Sequence, residues 1–310
     1  MKKIILLSIL ALSFLISCDD AASGGTGSVQ FYVEPEWTIV NGISTGDGEE
    51  DMRDGWSVEY ERFLVSLGNI TVSKSTSSTV YKDENTYVID LKGAPTAGLL
   101  VTEFNDLDNG DWDRVGYQMP QATEGALTLQ NDISDEDYNS MVDNELSVSV
   151  RMVLNNSSGQ VCPYLIDEDE PAATDRPCFD TTEIVLDWEL PYGVEVNGCM
   201  TESQIGINIP SGGTTQAKLT IHADHHFFTA IRHTDVMRIA QPIIDADLDL
   251  DGYVTLDELE SVPATVLDPT VYDLSTFPGD VETLGDYVYW TTITFPHYQG
   301  DGGCPEKNPL

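Results

Sequence analysis

Basic side chains are scarce in this chain: 14 lysines and arginines stand against 53 aspartates and glutamates, a formal net charge of −39 over 310 residues. Beyond Lys2 and Lys3 they are scattered singly, from Arg53 to Lys307. Binding phosphates needs a clustered basic footprint, because counterion release drives that association. Nucleic acid and anionic lipid headgroups are therefore poor partners, and no nucleic-acid partner is expected. Cysteine is scarce too, with five residues and no C-x-x-C pair, which argues against a thiolate zinc or redox site. There is no G-x-S-x-G elbow, phosphate-binding glycine loop, H-E-x-x-H or C-x-x-C-H motif. Apolar material is not lacking. At 41% hydrophobic and 9% aromatic residues, the chain is too rich in core-forming side chains to be a disordered acidic polymer.

The N-terminus reads as an export signal. Met1-Lys2-Lys3 is a short positive segment, and Ile4 to Ile16 is apolar apart from Ser8 and Ser13. That stretch is too short to span a bilayer as a mature helix but suits a secretory signal peptide. It ends in Leu15-Ile16-Ser17-Cys18, which resembles the lipobox of bacterial lipoproteins. The resemblance implies cleavage after residue 17, a diacylated (palmitate-bearing) Cys18, and a protein anchored to the cell envelope by lipid without spanning the membrane. Residues 18–28, rich in Ser, Gly and Asp, read as a flexible tether. The remaining cysteines, Cys162, Cys178, Cys199 and Cys304, are even in number. In an exported chain they predict two disulfides, with Cys162–Cys178 and Cys199–Cys304 favoured among three pairings.

From residue 29 to 224 apolar residues recur with period two, as in Val29-x-Phe31-x-Val33, Trp56-x-Val58-x-Tyr60 and Leu146 to Leu154. Turn-forming clusters separate the runs, which predicts a mainly β fold, an antiparallel β-sandwich. Leu107 to Tyr117 reads as a hairpin leading into a strand, and Asp135 to Val142 as a short helix capped by Ser134. Residues 225–310 read as a small helical region, with helices expected over Thr229 to Ile244, interrupted at Pro242, and over Asp280 to Thr292. Between residues 239 and 306 lie fourteen acidic side chains and no lysine or arginine.

Inside that acidic region, Asp247 to Glu258 resembles the EF-hand loop, D-x-[DN]-x-[DN]-G-x₅-E, at every defined position. Ca²⁺ takes six to eight oxygens at about 2.3–2.6 Å, and a twelve-residue loop can wrap it. The resemblance assigns carboxylates to Asp247, Asp249 and Asp251, a backbone carbonyl to Tyr253, a water-mediated contact to Thr255 and a bidentate carboxylate to Glu258. Gly252 takes the turn and Val254 anchors the loop. Pro263 cuts the exit helix short and no second loop pairs with it, so the site reads as structural rather than as a sensor.

Four of five histidines fall within twelve residues: His222, His225, His226 and His233. A continued strand would turn Thr220, His222, Asp224 and His226 outward together, whereas a turn at its end would converge His222 with His225. Two imidazoles and a carboxylate form a candidate first shell for Zn²⁺, Cu²⁺ or Fe²⁺ from His222, Asp224 and His225, with His297 as a distant third nitrogen. His222-x-Asp224-His225 is similar to half of the metallo-β-lactamase H-x-H-x-D-H motif, but Thr220 stands where its first histidine belongs. His222 to Phe227, the Asp247 to Glu258 loop and the Gly/Cys tail from His297 to Cys304 together resemble a family of bacterial β-sandwich lipoproteins. That resemblance implies no particular activity. The leading expectation is an envelope lipoprotein holding one structural calcium, without catalysis. Zn/Cu binding or delivery through the histidine cluster is the alternative, and a metal-dependent hydrolase at the same place the weaker one.

Overall fold

The computed structural model describes residues 24–130, 133–164, 176–232 and 235–310. The signal peptide, Cys18, His233 and the acidic run 167–170 lie outside them. Two sheets carry the fold. The smaller has four strands in the order Pro296–Tyr298, Thr214–Ile221, Thr26–Pro35, Leu99–Asp108. The larger has ten, and its spine runs through Glu183–Leu190, Val148–Asn155, Ser57–Ser73, Arg114–Met119 and Val194–Asn197. Strand residues from both sheets belong to one continuous core that includes Phe31, Trp56, Phe63, Trp188, Leu219 and Phe295.

The alternation read from the sequence is what fills this core, with one instructive break. Trp56, Val58 and Tyr60 point inward on even positions, then Phe63, Val65 and Leu67 on odd ones, and all are buried. Apart from Trp56, which directly precedes it, both sets belong to a single strand, Ser57–Ser73, whose register against Val148–Asn155 slips between Tyr60 and Arg62. The extra residue of a β-bulge exchanges the two faces. A second slip between Gly68 and Thr71, with Asn69 at φ 49°, returns Ile70 and Val72 to the core.

The sheets are mixed rather than purely antiparallel. Thr26–Pro35 pairs in parallel with Thr214–Ile221 over eight positions, and Glu183–Leu190 in parallel with Tyr253–Val254. Thr26 to Ser28, expected in the tether, already belong to the first strand. The expected hairpin at 107–117 is absent, because Gly110–Trp112 pairs with Ile207–Ile209 instead. The helix at 135 forms as expected, Asp135–Asp143, capped by Ser134. The helix expected over 229–244 does not form. Among the described residues of that span only Gln241–Ile244 is helical, with Pro242 in its first turn, where the missing N–H costs nothing. The last helix is Leu284–Ile293, beginning after the capping box of Thr283 and Asp286 rather than at Asp280. Nor are residues 225–310 only helical, since Pro296–Tyr298 and Glu306–Pro309 add a strand to each sheet. Cys162–Cys178 and Cys199–Cys304 are both bridged. Such bridges fit an exported protein. No helix among the described residues is long and apolar enough to cross a membrane.

Candidate metal centre

The histidine cluster sits where two chain segments meet at one end of the small sheet. The Thr214–Ile221 strand ends just before His222, and Asp224–Phe227 winds into a 3₁₀ turn. Pro296–Tyr298 pairs antiparallel with that strand, setting His297 opposite Thr220. The backbone N–H of His222 donates to Phe295 O, and Tyr117 OH donates to His297 O. One ligand nitrogen from each of His222, His225 and His297 lies within 4.8 Å of the other two. The His222 and His297 rings stack with centroids 4.1 Å apart, and the His225 ring lies 5.2 Å from His297 at 78°.

Hydrogen-bond accounting fixes one tautomer. Thr294 Oγ1 has a single proton, which it donates to Thr291 O at 2.7 Å. Its 2.8 Å contact with His225 Nδ1 therefore requires the imidazole to donate. His225 carries its proton on Nδ1, leaving the Nε2 lone pair for a ligand, and this is the hydrogen-bonded arrangement typical of a metal-ligating histidine. Burial depresses the basicity of His225, and the neighbouring His297 and His222 depress it further. His222 is lowered as well, by burial against the opposing pull of Asp224. Neutral imidazoles are the ligating form. This group of three nitrogens could hold a transition-metal ion.

Two features differ from the sequence expectation. Asp224 does not join the three imidazoles. Successive side chains in a 3₁₀ turn diverge by about 120°, and Asp224 instead takes Arg238 Nε and Nη2 on its Oδ2, at 2.7 and 2.5 Å. It groups with His222 and Glu36. Nor does the strand continue with one wet face: His222, Asp224 and His226 are all buried. His226 is a core residue. Its Nε2 meets Thr292 Oγ1, its ring abuts Trp188 and Phe295, and burial takes it down to about 3. Glu36, Thr294 and Arg238 carry no local signal in the sequence. Glu36 reaches the site because the parallel pairing ends with Pro35 opposite Ile221.

The acidic loop forms a second candidate site. Oxygens of Asp247, Asp249 and Glu258 lie within 4.8 Å of one another. Asp247 accepts from the backbone N–H groups of Asp251 and Gly252, and Glu258 from those of Leu248 and Thr255. Gly252 has φ 87°, which only glycine adopts without strain. Val254 is buried, and Trp188 Nε1 donates to its carbonyl. Asp251 is not part of that converging set; its Oδ1 accepts from Tyr253 N. Burial raises the Asp247 carboxyl above its ordinary range, with Glu258 and Asp251 adding to the rise.

No family model and no curated protein matches the sequence. Among solved structures the chain is similar to MbnP from Methylosinus trichosporium, with a TM-score of 0.26 and 8% identity, covering 69% of this chain and 79% of that one. A likeness this distant carries no argument about the site.

Proposed function

We propose that this is an exported, lipid-anchored protein that binds a transition-metal ion, copper or zinc, through His222, His225 and His297, for storage or delivery rather than catalysis. The observation that carries this reading is the convergence of three imidazoles from two chain segments, His222 and His225 buried and His297 half-buried, with the His225 tautomer locked by Thr294. Nitrogen-rich sites of this kind suit zinc and copper and are poor for hard ions. The test is metal analysis and competition titration of protein purified without chelator. The wild type should take up stoichiometric copper or zinc, and His225→Ala and His297→Ala should each weaken it by more than about a hundredfold. Binding unchanged in both variants would overturn the reading.

Calcium at Asp247 to Glu258 is a second, independent reading, favoured by the carboxylate convergence in that loop. It supplies structure: without an ion the clustered carboxylates repel, and with one the loop is tied between the Gln241–Ile244 and Leu256–Ser261 helices. The lipid on Cys18 would hold the whole at the envelope.

A further inference from the structure

His222 has two ring nitrogens, and they face different surroundings. Nε2 lies 3.3 Å from Gly300 O. A carbonyl only accepts, so in this arrangement Nε2 bears the proton and Nδ1 bears the lone pair. That lone pair faces Glu36 Oε1 at 3.7 Å. The other Glu36 oxygen is occupied, accepting from Thr38 Oγ1 at 2.6 Å. Asp224 is fully buried; its Oδ2 holds Arg238, while its Oδ1 has no hydrogen-bond partner among the described residues. The Tyr60 hydroxyl is also fully buried and without a partner, and it lies in the field of Asp224 and Glu36. Ligand atoms of Glu36, His222 and Asp224 lie within 4.8 Å of one another.

Acceptors thus face acceptors here, and a folded interior resolves that either with a proton, since burial and Asp224 raise the Glu36 carboxyl well above its ordinary range, or with a cation between them. Asp224 Oδ2 takes Nε and Nη2 of Arg238, whose remaining Nη1 is spent on Glu49 O, and Glu36 feels that guanidinium through its field. We infer that Glu36, His222 Nδ1 and Asp224 form a second cation subsite, for a divalent ion of the mixed nitrogen–oxygen class, with Tyr60 beside it. To serve this site and the imidazole-rich one together, His222 must bridge them as an imidazolate, releasing to solvent the Nε2 proton that Gly300 O accepts. The inference borrows one residue from the proposed three-histidine site but stands on Glu36, Asp224 and Tyr60, which that reading does not use. Softer copper would favour the imidazoles, while zinc, iron or manganese suits a carboxylate pair with one imidazole.

The test is zinc titration of the full mature chain in saturating calcium, which keeps the acidic loop occupied. Wild-type protein should bind two zinc ions. Glu36→Gln, an isosteric change, should bind one, with the other weakened by more than about a hundredfold. His297→Ala should also bind one, and X-ray absorption at its zinc edge should report an oxygen-rich shell with a single imidazole. One zinc in the wild type, unaffected by Glu36→Gln, would overturn the subsite and leave a proton on Glu36 as the occupant. An imidazole-only shell in His297→Ala would overturn it too, and does not depend on how Glu36→Gln folds. Two outcomes separate the inference from the main reading. Loss of zinc in Glu36→Gln but not in His297→Ala sustains the subsite and sinks the three-histidine site; the reverse does the opposite.

Discussion

Thr294 has one hydroxyl proton and gives it to Thr291 O, so it can only accept from His225. That arrangement predicts a graded response. Thr294→Val removes the acceptor, frees the imidazole to flip its tautomer, and should cost roughly 10–100-fold in zinc affinity. Thr294→Ser keeps the hydroxyl and should bind as the wild type does. A competition titration with a chromogenic chelator measures both. Lys307 gives a residue-scale prediction in pH. Its ammonium is withdrawn from solvent between the carbonyls of Thr294 and Pro296, and burial pushes it down to about 7. The unfolded chain holds that proton up to about 10.4. Between these values the unfolded state binds the extra proton, so stability rises with pH from about 7, by up to roughly 1.4 kcal/mol per unit. Chelator-treated wild-type protein should therefore resist urea better at pH 9 than at pH 7, and Lys307→Met should show little such slope. His222 and His225 were legible because four imidazoles in twelve residues are conspicuous in any chain, while His297 entered only as a distant third nitrogen. Glu36, Thr294 and Lys307 were not. Each is an ordinary residue locally, and gains its role only from chain segments that the fold brings together.

At the scale of elements, period-two runs were readable because each strand buries one face, and the buried residues named from the sequence are the ones that fill the core. What periodicity could not show is that two of those runs are one strand. The bulge between Tyr60 and Arg62 swaps inward and outward positions without a turn, so a phase change looks like a boundary. The helix expected over 229–244 failed for a related reason. Its apolar spacing is real, but Ile231 and Ile239 pack against the core from irregular backbone, tied by pairs such as Ile239 N to Phe227 O. The acidic loop was legible because its ligand spacing is local. Glu258 is both its last candidate ligand and the third residue of the Leu256–Ser261 helix, where it closes a capping box with Thr255. Glu258→Gln separates the two roles, since glutamine can still cap but loses the charge. At a calcium affinity of roughly 10⁻⁴–10⁻³ M, 10 mM calcium should stabilise the wild type by about 1.4–2.7 kcal/mol. Thermal melts should therefore rise with calcium in the wild type and barely move in Glu258→Gln. An equal rise in both would remove calcium from that loop.

For the molecule as a whole, the charge imbalance and the two bridges bear on the same question, what keeps the C-terminal residues in place. The scarce cations are placed against the acidic excess: Arg151 spans Glu61 and Asp187, Arg176 meets Asp245, and Arg238 meets Asp224. The first pair is exposed and adds little, while the last is buried and holds Asp224 in place beside His222. The Cys199–Cys304 bridge spans 105 residues, against 16 for Cys162–Cys178. Loop-closure entropy gives the longer bridge about 4.7 kcal/mol and the shorter about 3 kcal/mol. Their consequences for function differ more than that gap. Cys304 follows the Pro296–Tyr298 strand within six residues and precedes Glu306–Pro309, the strand from which Lys307 reaches back to Thr294 and Pro296. Opening this bridge lets the tail fray and releases His297 from its place opposite Thr220. The double variant Cys199→Ser/Cys304→Ser, held folded at low temperature, should lose zinc affinity together with stability. Cys162→Ser/Cys178→Ser should lose stability while keeping the zinc site. Measured by urea denaturation and zinc competition on the same samples, equal zinc losses in both variants would show that the three-histidine site depends on overall stability and not on this clip in particular.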